Sequence, residues 1–263
     1  MQIKYLKKIA VQAAKLAGEN LMEKFKKFDR GTTEFKAHHE IVTKADLASE
    51  KIILKLIKNN FPGHQILSEE SGDNHKQSDY LWIIDPLDGT TNFSMHHPLF
   101  SISIGVAFKG EIVLGVVYSP YLNELFVAEK GKGATMNNKK IKVSKIGKKD
   151  KALNTFCHGR NNSDIEISLD YMRYQKLHGF DCRQIGSAAI ELAHIACGRI
   201  ESSVIPGANP WDVAAGVLLV REAGGKVTDF AGKKWTIKSY GMAASNGLVQ
   251  GEILRVLKNV NKE

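Results

Sequence analysis

Two scarcities in the sequence exclude whole classes of protein: cysteines are few, and no apolar run is long. The three cysteines are odd in number and share no metal-type spacing, so they indicate reduced thiols in a cytoplasmic protein, and we expect no function through them. No uninterrupted apolar stretch approaches the roughly 18 residues that a membrane span needs, so we expect no membrane partner. Lysines interrupt the apolar residues of the N-terminal segment 1–28, which therefore lacks the core of a signal peptide. The cysteines are Cys157, Cys182 and Cys197.

Repeats and low-complexity linkers are also missing, and the composition is that of an ordinary globular protein. With 43% hydrophobic and 25% charged residues, the chain of 263 residues can bury a substantial core. The 37 Lys and Arg exceed the 28 Asp and Glu, and the resulting charge of +9 is compatible with an anionic small substrate or with an RNA partner. The densest basic patch, 139–151, contains no interleaved aromatic residues, which favours a solvated lysine-rich loop. This patch is the best internal boundary, and it predicts two halves, 1–140 and 141–263, within one compact unit.

Hydrophobic periodicity predicts an α+β first half followed by an α/β second half. Residues 100–128 alternate with short turns, which is typical of an antiparallel meander. A polar loop with Lys36, His38 and His39 separates the first two helices. The predicted helices span 3–28, Asp46 to the Phe61-Pro62-Gly63 stop, 165–176, 187–198, 212–223 and 247–259. The predicted strands span 65–69, 80–85, 101–108, 111–118, 124–128, 152–157, 180–184, 201–205, 226–229 and 241–244.

The most informative stretch, residues 85–93, follows an apolar run with the composition of a buried strand. Asp85 and Asp88 stand three positions apart at the exit of that strand, where they can converge on one point, and a hard cation or a proton relieves their repulsion. Gly89 allows a ligand to approach the backbone, and Thr90 suits the start of a helix whose N–H groups attract phosphate. These features indicate metal-assisted phosphoryl chemistry, although the same residue types also build an ordinary turn.

Further carboxylates stand next to apolar runs elsewhere in the chain. Glu69 and Glu70 follow a short apolar strand, whereas Asp46 and Asp212 stand at the starts of helical patterns. Each has an ordinary alternative, because acids are common in the first turn of a helix and a Glu pair can simply be solvated. Seen together, they supply the carboxylates of a metal site.

The donor types favour a hard cation. Clustered carboxylates without a Cys or His ligand set select Mg²⁺ over Zn²⁺. The alternate oxygen ligands and the final Glu of an EF-hand loop are missing. The histidine pairs, His38-His39 and His96-His97, are interpreted as loop residues, since the motif needs no imidazole.

These motifs together resemble the inositol monophosphatase family of Mg²⁺-dependent, lithium-sensitive phosphatases. The matches follow one another in order over almost the whole chain, and the central motif is highly specific. The resemblance implies the layered αβαβα sandwich of the inositol monophosphatase and fructose-1,6-bisphosphatase type, with the acidic motifs meeting in a cleft between the halves. The residues that carry it are Lys36, Val42, Thr43, Asp46, Glu69, Glu70, Ser71, 82–93, 186–189, 211–216 and 221–225.

The resemblance also implies the metal ligands and the course of the reaction. It implies two to three Mg²⁺ ions in each active site and direct attack of water on phosphorus, without a covalent phospho-enzyme. Glu69, Asp85 and the Leu87 carbonyl correspond to the first metal site. Asp85, Asp88 and Asp212 correspond to the second.

Roles in catalysis and substrate binding follow from the same resemblance. Thr90 and Asp46 correspond to the pair that orients the attacking water, a task that Glu69 shares. The Gly89 and Thr90 N–H groups correspond to donors for the phosphate oxygens. The residues implied to contact substrate are Lys36, Asp88, Gly89, Thr90, Gly186, Ser187, Ala188, Ile205 and Asp212.

One departure from the family pattern concerns the leaving group. Inositol-selective relatives carry a glutamate six residues before the tryptophan that corresponds to Trp211, and here that position is Ile205. An isoleucine accepts no hydrogen bond from an inositol hydroxyl, so a more tolerant site is expected. The alternative is that Ile205 belongs to a strand and points into the core.

We therefore expect a cytoplasmic phosphoric monoester hydrolase, forming a homodimer, that acts on inositol 1-phosphate or a similar polyol or sugar phosphate. Relatives handle other substrates, namely 3′-phosphoadenosine 5′-phosphate, fructose 1,6-bisphosphate, histidinol phosphate and NADP. An alternative of a different class is a regulatory protein that binds RNA or the transcription machinery and retains residual phosphatase activity. The complete acidic set argues against that alternative, and the charge of +9 is compatible with it.

Overall fold

The computed structural model describes residues 2–27, 34–36, 40–42, 44–148, 151–179 and 181–260. Its helices are α1 (Gln2–Lys27), α2 (Lys44–Asn60), α3 (Thr90–Ser94), α4 (Asn162–Leu177), α5 (Ala188–Ala196), α6 (Pro210–Glu222) and α7 (Gln250–Val260). Its strands are β1 (Glu34–Lys36), β2 (Glu40–Val42), β3 (Gln65–Ser68), β4 (Gly72–Asp73), β5 (Tyr80–Asp88), β6 (Ser101–Phe108), β7 (Glu111–Ser119), β8 (Glu124–Glu129), β9 (Gly133–Met136), β10 (Lys139–Ile141), β11 (Leu153–Phe156), β12 (Asp181–Arg183), β13 (Ser202–Ile205), β14 (Lys226–Thr228) and β15 (Met242–Ser245).

The strands form two large sheets, one in each half of the chain. The first sheet has eight strands in the order β10-β9-β8-β7-β6-β5-β3-β4, and only its β3–β5 pair is parallel. The second has five strands in the order β12-β11-β13-β15-β14, with β11 parallel to both of its neighbours. The chain passes from one sheet to the other between residues 141 and 153.

The helices complete five alternating layers. α1 and α2 cover the outer face of the eight-stranded sheet, α5 and α6 lie between the two sheets, and α4 and α7 cover the outer face of the five-stranded sheet. The layered αβαβα sandwich expected from the sequence is therefore confirmed. None of the described helices is long and apolar enough to cross a bilayer.

The spacing of apolar residues explains how α1 packs. Leu6, Ala10, Ala13 and Leu21 recur at helical spacing and are all buried, in one cluster with the side chains of β5 to β7. The stripe contains small residues, so the helix approaches the sheet closely. At Gly18, for example, an added Cβ would stand 2.5 Å from the Tyr118 ring.

The predicted elements were mostly correct in type and position, with four corrections. The predicted loop around Lys36 is wrong for that residue, because β1 pairs with β2 as an antiparallel hairpin. The lysine-rich segment 139–151 is not a loop throughout, because β10 pairs with β9 at the edge of the eight-stranded sheet. The adjacent side chains of Lys139 and Lys140 in this edge strand are exposed, so composition alone did not separate strand from loop. The short strands β4 and β9 were missed altogether. His38 and His39 lie outside the described residues.

Candidate metal centre

Two neighbouring parallel strands bring Glu69 and Asp85 to the same edge of the eight-stranded sheet. β5 is buried from Trp82 to Asp88, and its register with β3 pairs Ser68 with Ile84. Glu69 follows β3 directly and donates its backbone N–H to the Ile84 carbonyl at 3.1 Å. Because parallel strands end on the same side, the two acidic residues stand next to each other.

Asp212 reaches these strands from the start of α6. Its carboxylate accepts hydrogen bonds from the backbone N–H of Asn209 at 3.1 Å and from the Asn209 amide at 3.2 Å, as in a capping box. The helix lies close to the sheet at Gly115, because glycine has no side chain. A Cβ at this position would stand only 2.5 Å from the Ala215 carbonyl oxygen. The ordinary alternative for Asp212, an acid in the first turn of a helix, is therefore correct, and the same placement brings it to Asp85.

Within the part of the chain that the structure describes, one group of carboxylates has the size of a metal site. Glu69, Asp85 and Asp212 each offer an oxygen within 4.8 Å of the other two. Burial raises the pKa of Asp85 well above its ordinary value, and the charges of four neighbouring carboxylates raise it further. Burial likewise raises the pKa of Asp212 to about 7, opposed by the charge of Arg160. A hard cation relieves such repulsion, so these residues fit Mg²⁺.

Asp88 lies at the end of β5, but its carboxylate faces the start of α5. Oδ1 accepts the N–H of Ala188 at 3.1 Å, and Oδ2 accepts the N–H of Ala189 at 3.0 Å and the hydroxyls of Ser187 and Ser101. Burial raises the pKa of Asp88, and these hydrogen bonds lower it. The role of Asp88 as a metal ligand remains a prediction, since the contacts found here tie it to a helix N-terminus.

The turn after Asp88 depends on a glycine. Gly89 has φ 86°, and a Cβ there would stand 3.0 Å from the Leu99 carbonyl oxygen, so both the backbone and the space favour Gly. α3 begins at the next residue, Thr90, as expected from the sequence. The Thr90 hydroxyl donates to the Leu87 carbonyl at 2.9 Å, which places it beside a predicted metal ligand.

The other predicted residues differ in how they relate to the carboxylate cluster. Asp46 is 1% exposed in the first turn of α2, and its charge contributes to the raised pKa of Asp85. Gly186 has φ 82°, and a Cβ there would stand 3.2 Å from the Asn92 amide. Lys36 ends β1, and its side chain lies outside what the structure describes. His96 and His97 are exposed loop residues, as predicted.

Ile205 is 3% exposed and belongs to the hydrophobic cluster between the sheets. It lies in β13, where it pairs with Met242 of β15. This burial favours the core alternative for Ile205, and its role beside the leaving group stays a prediction.

Two residues with clear structural consequences were missed. Asn92 stands inside the central motif, yet nothing in the sequence shows that its amide donates to Leu99 O at 2.7 Å and to Ile185 O at 2.9 Å. Arg160 belongs to no motif, and its guanidinium lies 5.9 Å from the centre of the Trp211 ring. The Asn92–Ile185 and Arg160–Trp211 contacts join segments that are distant in sequence, which periodicity and spacing cannot reveal.

The layered fold and the oxygen-donor cluster at the sheet edge define a class of α/β protein with an acidic cluster that is consistent with a metal site. Residues 2–262 match the model of the inositol monophosphatase family. The chain belongs to that family, as its motifs predicted.

Similarity to individual proteins extends over nearly the full chain. It is 39% identical over 254 residues to a protein named Nus factor SuhB from Pasteurella multocida, covering 95% of this chain and 94% of that one. It is 38% identical over 224 residues to a Thermotoga maritima protein named fructose-1,6-bisphosphatase/inositol-1-monophosphatase, covering 85% of each. The structure of an inositol monophosphatase from Anabaena superposes with a TM-score of 0.87 at 37% identity, over 98% of this chain and 97% of that one.

Proposed function

We propose that this protein is a Mg²⁺-dependent phosphomonoesterase that hydrolyses inositol 1-phosphate or a similar polyol or sugar phosphate. The observation that carries the proposal is the convergence of Glu69, Asp85 and Asp212 within 4.8 Å, from three separate segments. Burial, and then the charges of the neighbouring carboxylates, raise the pKa of Asp85, and keeping this group ionised costs stability in the metal-free protein. A functional role accounts for that cost, whereas packing alone does not.

The surrounding residues supply the other requirements of phosphate-ester hydrolysis. Bound Mg²⁺ in this cluster would screen the phosphate, acidify a water molecule and stabilise the leaving oxygen. Asp46 and Thr90 orient the attacking water in the proposed reaction. The backbone N–H groups of Gly89 and Thr90 hold the phosphate oxygens in this proposal, and the start of α5 stabilises the ionised form of Asp88.

Under this proposal, the protein discriminates only weakly between the leaving groups of different phosphate esters. Ile205 replaces an inositol-contacting glutamate of relatives and lies in the core, so it supplies no acceptor for hydroxyl groups. We therefore propose that several polyol and sugar phosphates are hydrolysed at comparable rates, because discrimination by a hydrogen-bonding site is lost.

A sugar bisphosphate is a second candidate substrate, and Arg160 favours it. Arg160 is exposed beside Trp211, and its charge opposes the rise in the pKa of Asp212. A cation at this position attracts the second phosphate of a substrate whose first phosphate lies on the metal cluster. The Thermotoga relative is named for both activities. Arg160→Gln should then lower kcat/KM for fructose 1,6-bisphosphate by a larger factor than for inositol 1-phosphate, which feels only the loss of the Arg160 charge near Asp212.

The test is a phosphate-release assay over a panel of substrates, with Mg²⁺ and with chelator. The panel contains inositol 1-phosphate, glycerol 2-phosphate, fructose 1,6-bisphosphate, 3′-phosphoadenosine 5′-phosphate, histidinol phosphate and NADP. Mg²⁺-dependent release from at least one member supports the proposal. No release from any of them, by a protein whose unfolding is cooperative, contradicts it.

A regulatory role with RNA or the transcription machinery is a further candidate. It is favoured by the names of relatives, since the Pasteurella protein is called a Nus factor, and by the charge of +9. Filter binding to single-stranded RNA at 50 and 200 mM salt tests it, because phosphate contacts weaken steeply with salt. Affinity that is absent at both concentrations argues against RNA.

We also propose a homodimer, which light scattering after size-exclusion chromatography checks.

A further inference from the structure

Glu191 is a buried carboxyl group near the start of α5 that the proposed reaction does not use. It is 0% exposed and accepts hydrogen bonds from Ser203 Oγ at 2.6 Å and Thr155 Oγ1 at 2.9 Å, both on Oε2. Its other oxygen, Oε1, accepts the backbone N–H of Ile185 at 3.2 Å. The thiol of Cys157 lies 3.7 Å from Oε2. One side chain thus joins β11, β13 and the segment that leads into α5.

The segment Ile185–Ser187 in turn contacts the central motif, residues 85–93, in the other half of the chain. The Ile185 carbonyl accepts the Asn92 amide at 2.9 Å. The Gly186 carbonyl lies close to Gly89, where an added Cβ would stand 3.2 Å from its oxygen. The next residue, Ser187, is the N-cap of α5 and donates its hydroxyl to Asp88. The first two N–H groups of α5, those of Ala188 and Ala189, donate to the same carboxylate. A shift of this segment would therefore move the partners of Asp88 and the turn at Gly89 together.

We propose that Glu191 is a positioning residue for the phosphatase site, and that its Oε1 fixes Ile185 and through it the segment that orients Asp88 and the Gly89 turn. This rests on the proposed phosphatase function. Among the described residues, the hydrogen bonds of Glu191 reach Thr155, Cys157, Ile185 and Ser203 and no member of the carboxylate cluster, so its proposed action is through the backbone of Ile185–Ser187. Displacements of about 1 Å in a catalytic arrangement are enough to change the rate by orders of magnitude.

The charge of Glu191 adds a pH dependence to this role. Burial raises the pKa of Glu191 to about 7, opposed by the hydrogen bonds from Ser203 and Thr155 and supported by the charge of Asp88. The Cys157 thiol contacts Glu191, and burial together with the charge of Glu191 raises the pKa values of the Cys157 and Cys182 thiols. The ionised form is the stronger acceptor for Ile185 N–H. The site should therefore be held best above pH 7 and loosen as the pH falls through that value.

The test compares Glu191→Gln with Thr155→Val. Both remove a polar interaction from the same buried cluster, but only the first changes the group that binds Ile185. Glu191→Gln should lower kcat by roughly 10-fold or more, leave KM nearly unchanged, and remove a limb near pH 7 from the pH profile of kcat. Thr155→Val should lower the melting temperature with little change in kcat. Equal loss of kcat in both variants, in proportion to lost stability, would overturn the proposal.

A readout without substrate separates this inference from the proposed function. Hydrogen–deuterium exchange should be faster at residues 185–189 in metal-free Glu191→Gln than in the wild type, and unchanged there in Thr155→Val. Unchanged exchange in Glu191→Gln overturns the positioning role even when the wild type is an active phosphatase. A wild type that hydrolyses nothing overturns the proposed function, and the exchange result still decides whether Glu191 fixes the segment.

Discussion

Ala189 donates its backbone N–H to the Asp88 carboxylate at 3.0 Å, although 101 residues separate the two in sequence. The contact joins the last residue of β5, in the eight-stranded sheet, to the first turn of α5, between the sheets. Ala188 and Ser187 complete the same arrangement. The two halves of the chain therefore share one buried carboxylate beside the candidate metal centre.

Ser187→Ala tests this junction. The Ser187 hydroxyl donates to Asp88 and also accepts the Ile190 N–H at 3.3 Å as the N-cap of α5. Its loss should cost about 1 kcal/mol of stability, the usual value for an N-cap, and should also lower kcat because Asp88 loses a donor. Chemical denaturation and phosphate release measure the two effects. Ser187→Thr keeps the hydroxyl and should restore most of both, and a failure to do so would count against the capping role.

Asp85→Asn should abolish turnover and leave the fold intact. The folded-state pKa of Asp85 is raised above its unfolded value, so the ionised side chain destabilises the metal-free protein at neutral pH, and this cost disappears as the pH falls. The amide removes that charge, so Tm without Mg²⁺ should hold or rise, by about 2–4 °C for each kcal/mol of relieved repulsion.

The matched control for Asp85→Asn is Asp79→Asn. Asp79 is 61% exposed and pairs with Lys109 at 3.7 Å, so the same substitution there should change neither Tm nor rate appreciably. Mg²⁺ should raise the Tm of the wild type and of Asp79→Asn but not of Asp85→Asn. A rise in all three proteins would contradict the assignment of Asp85 as a metal ligand.

Sequence reasoning predicted the acidic motifs and the strand ends that carry them, because these depend on local pattern, whereas the layered fold was implied by the family resemblance. Asp85 follows a buried apolar strand, and the sequence shows both the strand and its end. It did not predict what Asp88 binds. The partners Ala188 and Ala189 are typical helix residues, and only the packing of α5 turns their N–H groups toward β5.

Residues that act through long-range contacts were the least predictable. Glu191 reads as an ordinary acid in the first turn of a helix, and its burial among Thr155, Ser203 and Ile185 follows from the stacking of α5 on β11 and β13. The edge strand β10 was not predicted, because two of its three residues, Lys139 and Lys140, are exposed lysines that are also typical of a loop. In each case the deciding interaction is tertiary rather than local.

Ile205→Glu distinguishes the two interpretations of that position. With Ile205 3% exposed, a carboxylate there would be buried without a partner, so we expect a loss of roughly 3–5 kcal/mol of stability and a large fall in Tm. Ile205→Leu keeps the apolar volume and should cost less than about 1.5 kcal/mol. A well-folded Ile205→Glu whose kcat/KM rises for inositol 1-phosphate relative to glycerol 2-phosphate would instead place residue 205 beside the leaving group.

Lithium and excess Mg²⁺ should both inhibit phosphate release. If a cation at the second predicted site must leave or exchange before phosphate departs, Li⁺ on the order of 10 mM should slow turnover by competing at the carboxylates. Potassium chloride at the same ionic strength serves as the control, since screening alone would act equally in both salts. Identical rates in the two salts would argue against a cation-coupled release step.

The most direct test of the metal-centred account is the initial rate of phosphate release as Mg²⁺ is returned to chelator-treated protein. The convergence of Glu69, Asp85 and Asp212 predicts no release in chelator and a saturable rise with Mg²⁺. Asp212→Asn should reduce the maximal rate by roughly 100-fold or more, while Asp79→Asn follows the wild-type curve. Release that persists in chelator, or an Asp212→Asn curve identical to that of the wild type, would contradict the account.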